Sequence, residues 1–142
     1  MKTDPLPMPV LLVEDNPADQ ALVRRALQQV GAPILLHLAK DGEEAWKLLQ
    51  AGPSGGFGFI LLDLNLPGLS GHSLLERLRA EENFKHIPVL VLTTSTAPED
   101  VRACYRLGCN SFLTKPAEFN DYVRLMQQLC HFWLEAATLP RG

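Results

Sequence analysis

The sequence predicts an α/β fold, a doubly wound parallel sheet of five strands with helices on both faces. Three observations carry this. Short apolar runs alternate with longer segments of helical period along the chain. The apolar runs lack polar alternation, as strands buried on both faces do. Five strand–helix units in succession imply parallel strands joined by right-handed crossovers. The 142 residues suit one domain, and 46% hydrophobic with 20% charged residues suits a globular core. No linker, repeat or low-complexity stretch divides the chain.

Each element has a local reason. Val10-Leu11-Leu12-Val13 reads as the first strand. Asn16-Pro17-Ala18-Asp19 opens a helix: Asn caps, Pro suits the first helical position, and Asp19 complements the positive end of the dipole. That helix carries Val23, Leu27 and Val30 and stops at Gly31. Ile34 to Leu38 is the second strand, and Asp41-Gly42-Glu43-Glu44 opens a helix with Ala45, Trp46, Leu48 and Leu49. After a Pro53–Gly56 loop, Phe59-Ile60-Leu61-Leu62 is the third strand and runs straight into Asp63. A helix from about Ser70 to Ala80 follows the Pro67-Gly68 turn, and Pro88 to Leu92 is the fourth strand. Thr96-Ala97-Pro98-Glu99-Asp100 repeats the cap, proline and acid pattern, and its helix ends at Gly108. Ser111-Phe112-Leu113 is the fifth strand, and the last helix runs from about Glu118 to about Ala136.

Composition excludes several classes. Net charge is −3, with 13 basic against 16 acidic residues, so no basic surface for direct nucleic-acid binding is expected. No run approaches the ~18 apolar residues of a membrane span. The start, Met1-Lys2-Thr3-Asp4-Pro5, lacks the apolar core of a secretory signal, which places the protein in the cytoplasm as an expectation. Three cysteines form no disulfide framework, and Cys104 and Cys109 read as buried thiols. His37, His72, His86 and His131 have no ligand spacing. Trp46 reads as packing and Arg24-Arg25 as a solvated face. Gly55-Gly56-Phe57-Gly58 lacks the Lys and hydroxyl of a phosphate-binding loop.

The chemistry is expected at the carboxyl ends of the strands, where open parallel sheets form their sites. Glu14 and Asp15 follow the first strand, Asp63 the third, Thr93 and Thr94 the fourth, and Lys115 the fifth. Three converging carboxylates repel one another and favour a divalent cation, and hard oxygen ligands suit Mg²⁺ better than Zn²⁺. With the cation bound, Asp63 can act as nucleophile toward a phosphoryl donor, Lys115 can offset charge on the phosphoryl oxygens, and Thr93 can donate a hydrogen bond.

The set Glu14-Asp15, Asp63-Leu64-Asn65-Leu66-Pro67-Gly68, Thr93-Thr94 and Lys115-Pro116 resembles a two-component response-regulator receiver domain. The resemblance covers about residues 8–135, leaving a short tail at 136–142, and implies a single domain over 1–142. It implies the flavodoxin-like, receiver-type strand order 2-1-3-4-5. It further implies that Asp63 accepts a phosphoryl group from a sensor histidine kinase. Asp15 and Asp63 would bind Mg²⁺ directly, Glu14 through water, and Asn65 through its backbone carbonyl. Thr93 and Phe112 would form the switch, with Phe standing where the family often has Tyr, and Asn65 and Ser95 would tune dephosphorylation. Such a protein is no enzyme beyond catalysing its own phosphorylation and dephosphorylation. With no output domain following, a stand-alone receiver is expected. Asp63-Leu64-Asn65-Leu66-Pro67, Leu92-Thr93-Thr94-Ser95 and the Phe132-Trp133-Leu134 ending look similar to regulators partnered with bacterial phytochromes.

The last helix carries more apolar residues than one stripe needs. Tyr122, Phe132 and Trp133 are therefore expected at an interface, with a homodimer formed through this helix or through the face of the fourth helix, fifth strand and fifth helix. Other functions fit less well. A nucleotide-binding fold needs a phosphate-cradling loop where Glu14-Asp15-Asn16 stands. An aspartate-dependent phosphatase needs a second acid where Asn65 stands. A receiver-like scaffold indifferent to phosphate has no use for Asp63, Thr93 and Lys115 together.

Overall fold

The computed structural model describes residues 7–54 and 56–140. The Met1–Pro5 start, Gly55 of the expected loop and the last two residues of the tail lie outside the described residues. In chain order the elements are β1 (Met8–Val13), α1 (Pro17–Val30), β2 (Ile34–Ala39), α2 (Gly42–Ala51), β3 (Phe59–Leu62), α3 (Gly71–Ala80), β4 (Val89–Thr93), α4 (Pro98–Leu107), β5 (Ser111–Thr114) and α5 (Phe119–Cys130). The strands are parallel in the order β2-β1-β3-β4-β5. β4 runs one residue later than expected at each end, so Thr93 is its last residue.

Strand alternation sorts the core into two layers. Leu11, Val13, Ile60, Leu62, Val89 and Val91 face α2, α3 and α4, where Leu49, Leu74, Leu75, Leu78 and Cys104 meet them. Val10, Leu12, Phe59, Leu61, Leu90 and Leu92 face α1 and α5, meeting Val23, Leu27, Tyr122 and Met126. Each such side chain contributes about 1.5–3 kcal/mol by leaving water, and β1, β3 and β4 are buried along almost their whole length. Cys104 and Cys109 are buried free thiols, as expected.

Three of the five helix starts, those of α1, α2 and α3, are capped by a side chain, while Ala97 before α4 and Glu118 before α5 make no such bond. The Asn16 side chain accepts from the Ala18 and Asp19 amides at 2.9 and 3.2 Å, and α1 ends on left-handed Gly31 at φ 73°. Asp41 accepts from Glu44 at 2.8 Å, and Ser70 accepts from Ser73 at 3.1 Å. At α4 the expected Thr96 cap does not form. Ala97 takes the cap position and has no oxygen to offer. Pro98 fixes the first turn, and Ser95, two residues before Ala97, accepts the Ala97 amide instead at 3.3 Å.

The last helix departs from expectation in two ways. The α-helix stops at Cys130, and His131–Ala136 widen into a π-helical turn closed by Ala137 N–H donating to Phe132 O at 2.7 Å. The wider turn lets adjacent Trp133 and Leu134 both pack on the core, with the Trp133 ring 6.4 Å from Phe59. Tyr122, expected at an interface, is instead a core residue with 1% exposure. It lies on the stripe of α5 that faces the sheet, together with Met126, Leu129 and Cys130. Most of the apolar surplus is thus internal, and Phe132 is the large apolar residue of this segment that stays exposed.

Candidate functional site

Strand register builds the site. Val13 pairs with Leu62, so Glu14 and Asp63 leave neighbouring strands side by side, and the Asp63 amide donates to Val13 O at 3.0 Å. Thr93 pairs with Thr114, so Lys115 emerges just beyond Thr93 and donates its amide to Thr93 O at 2.8 Å. Sequence-distant groups therefore share one rim because central parallel strands end level with one another.

The Lys115 ammonium is the hub. Nζ lies 2.7 Å from Glu14 Oε2, 2.8 Å from Asp19 Oδ2 and 3.0 Å from Asp63 Oδ2. An ammonium has three protons, and three carboxylates take them. Burial works against the Lys115 charge, but the hydrogen bonds to Asp19, Glu14 and Asp63 outweigh it and raise its pKa. Burial pushes the Glu14 carboxyl up to about 7, against the opposing pull of Lys115 and the Asn16 amide. Glu14 Oε1 accepts that amide at 3.0 Å, and Gln20 Nε2 donates to the Glu14 carbonyl at 2.6 Å, so both ends of Glu14 are held.

Glu14, Asp15 and Asp63 bring one carboxylate oxygen each to within 4.8 Å of one another. Glu14 and Asp63 are buried while Asp15 is exposed at the mouth. An all-oxygen, partly open donor set of this kind fits Mg²⁺. Asn65 is exposed beside Asp63, and its amide donates to Asp63 Oδ1 at 3.2 Å. Thr93 is fully buried, with its hydroxyl 3.5 Å from the Ser95 amide. Phe112 is half-buried on β5 opposite Val91, packed against the α2–α4 side of the core. The Ser95 hydroxyl points at Asp100 Oδ2, 2.5 Å away. Phe132 and Trp133 lie beyond α5, away from this rim.

Asp19 was legible only as a helix-dipole acid, yet it is a direct partner of Lys115. No local spacing marks that contact, which joins residues 96 apart. Gly71, which no sequence motif singles out, lies so close to the Asp63 main chain that a Cβ there would clash with it.

No helix among the described residues is long and apolar enough to cross a membrane. The family model for the response regulator receiver domain matches residues 10–127. The response regulator Rcp1 of Synechocystis is 39% identical over 140 residues, covering 94% of each chain. The phosphorylated cyanobacterial phytochrome response regulator RcpA superposes with a TM-score of 0.87 at 36% identity, over 94% of this chain and 99% of RcpA. The Mn²⁺-bound form of Rcp1 superposes with a TM-score of 0.85 at 39% identity, over 94% of this chain and 99% of that one. A matched family model, a level rim of carboxylates fitted to Mg²⁺ and the strand order 2-1-3-4-5 all agree: this chain belongs to the response regulator receiver domain family.

Proposed function

We propose that Asp63 accepts a phosphoryl group from a phosphohistidine of a sensor histidine kinase and that the modified chain signals by changing shape. The observation that carries this reading is the Asp63 carboxylate, buried at a strand end with Lys115 on one oxygen and Glu14 and Asp15 within metal-sharing distance. In the transfer, the phosphorus–nitrogen bond of the donor breaks as a phosphorus–oxygen bond to Asp63 forms. Mg²⁺, when bound by Asp15, Asp63 and the Asn65 carbonyl, with Glu14 behind a water, would offset the charge of the phosphoryl oxygens. Lys115 exchanges its Asp63 contact for one to a phosphoryl oxygen, and Thr93 donates its hydroxyl to another. Phosphorylation adds about 1.5–2 negative charges, and Thr93, by turning toward them, opens space for the Phe112 ring. Asn65 and Ser95 flank the phosphoryl group and tune its loss.

The likeness to regulators described as phytochrome-linked supports a bacteriophytochrome as the kinase. The exposed Phe132, above the groove lined by Leu113, Leu125 and Trp133, supports a homodimer contact. Mass spectrometry after treatment with acetyl phosphate and Mg²⁺ tests the central assignment. One phosphoryl adduct on the native chain and none on Asp63→Asn is expected, and an adduct of undiminished yield on Asp63→Asn overturns it. Sedimentation of native protein against Phe132→Ser tests the contact, where a native monomer at micromolar concentration counts against it.

A further inference from the structure

We infer that Asp100 is a positioning residue for the chemistry at Asp63: by accepting the Ser95 hydroxyl it holds the β4–α4 turn in the form that keeps Thr93 at rest. The inference rests on the reading of Asp63 given above and deepens it.

The turn between Thr93 and α4 lacks the usual cap. Ala97 stands in the cap position without a side-chain acceptor, so the start of α4 is organised from further back. The Ser95 hydroxyl does this work in both directions. It accepts the Ala97 amide at 3.3 Å and donates to Asp100 Oδ2 at 2.5 Å. Asp100 is the third residue of α4, and a hydroxyl donating to an ionised carboxylate makes a short, strong bond. The other carboxylate oxygen of Asp100 lies 3.8 Å from His72 Nε2 on α3. Both oxygens of Asp100 thus face groups that hold the helix start in place.

This tie reaches the site through one residue. The Ser95 side chain is drawn toward α4 while its amide stays over the Thr93 hydroxyl at 3.5 Å. That second contact is at the long end of hydrogen-bond range and is easily given up. Thr93 is fully buried, so its hydroxyl turns only if the chain above it yields. The strong Ser95–Asp100 bond sets how easily that chain yields. A competing role exists for Asp100, as an acid in the first turn complementing the helix dipole. That role needs only the negative charge. Positioning needs an acceptor oxygen, which an asparagine retains in weaker, neutral form.

Loss of the tie raises the free energy of the resting form and leaves the engaged form less affected, so a ligand of the engaged form binds more tightly. Beryllofluoride with Mg²⁺, a non-covalent mimic of the phosphoryl group, is the probe, read by titration calorimetry. Asp100→Ala and Ser95→Ala are each expected to tighten its apparent affinity about three- to tenfold, the size of one net hydrogen bond. The double variant should gain no more than Ser95→Ala alone, because Ser95→Ala already removes the bond that Asp100→Ala removes, together with the Ala97 contact. Asp100→Asn, which keeps an acceptor but loses the charge assistance, should tighten mimic binding less than Asp100→Ala does. Mg²⁺ affinity without beryllofluoride should stay native in Asp100→Ala and Asp100→Asn, which a merely unfolded or distorted chain would not show. Unchanged or weaker mimic binding in the single variants, additive gains in the double, or Asp100→Asn behaving as Asp100→Ala each overturn the inference. Native protein that binds no mimic and takes no phosphoryl group would instead overturn the Asp63 reading itself.

Discussion

A Cβ built on Gly71 would lie 2.5 Å from the carbonyl oxygen of Asp63 and 2.6 Å from the Cα of Leu64. Both are main-chain atoms of the loop that carries Asp63, so neither can turn aside as a side chain would. The Gly71 amide also donates to Leu64 O at 3.2 Å, closing α3 onto that loop. Gly71→Ala is therefore expected to force the loop away from α3, at about 1–3 kcal/mol, the usual cost of overpacking. It should also slow labelling by acetyl phosphate, because the Asp63 carboxylate moves relative to Lys115. Denaturant unfolding and a labelling time course measure the two effects, and native values in both would contradict the close approach.

Removing the hub charge should be costly. Lys115→Met would leave Glu14 and Asp63, whose side chains are 3% and 5% exposed, facing each other without a cation. Breaking a buried ion pair from one side costs about 3–5 kcal/mol. Added Mg²⁺ supplies positive charge to the same carboxylates and should restore part of the loss. Thermal melts with and without Mg²⁺ check this: the Mg²⁺-dependent gain should be larger in Lys115→Met than in the native chain.

Glu14 gives the site a pH signature. Burial raises its pKa from 4.5 to about 7, so between those values the folded chain holds a proton that the unfolded chain has lost. The Glu14 contribution to stability is thus fully present below about 4.5 and is lost as the pH rises through about 7. Ionised Glu14 is also the form that serves a cation, so Mg²⁺ affinity should increase through the same window. Calorimetric titration on either side of about pH 7 should find tighter Mg²⁺ binding on the alkaline side, with Glu14→Gln abolishing the difference.

The thiols should be silent. Burial pushes Cys104 and Cys130 up to about 11 and raises Cys109 as well, and all three side chains are enclosed. Thiolate is the reactive form, so native protein at about pH 8 should resist iodoacetamide and become reactive when unfolded in denaturant. Mass spectrometry of the alkylated chain gives the count, and fast labelling of any one thiol in native protein would show that its part of the core opens.

Much of the site was legible because parallel strands deliver their last residues to one edge. Glu14, Asp63, Thr93 and Lys115 each follow or end an apolar run, so their meeting follows from strand order alone. Other parts were hidden for physical reasons. Asp19 satisfies the helix-dipole rule, and its bond to Lys115 spans 96 residues that no local pattern connects. Thr96 has the chemistry of a cap, but Ser95 holds the turn from one residue earlier. Tyr122 and Phe132 look alike in an amphipathic pattern, but Tyr122 lies on the sheet-facing stripe of α5 at 1% exposure and Phe132 in the π-helical turn beyond it at 52%. The π-helical turn after Cys130 has no marker in sequence.

The order in which the rim is assembled has a consequence for the chain during its synthesis. β1 and β3 are made before β5, and their pairing sets Glu14 beside Asp63. The ammonium that reconciles them comes with Lys115, after β5. Without it the two acids are like charges on adjacent central strands. A chain ending before β5 lacks that amine, so its two neighbouring acids are expected to stay unneutralised and its sheet to be less stable than the native one.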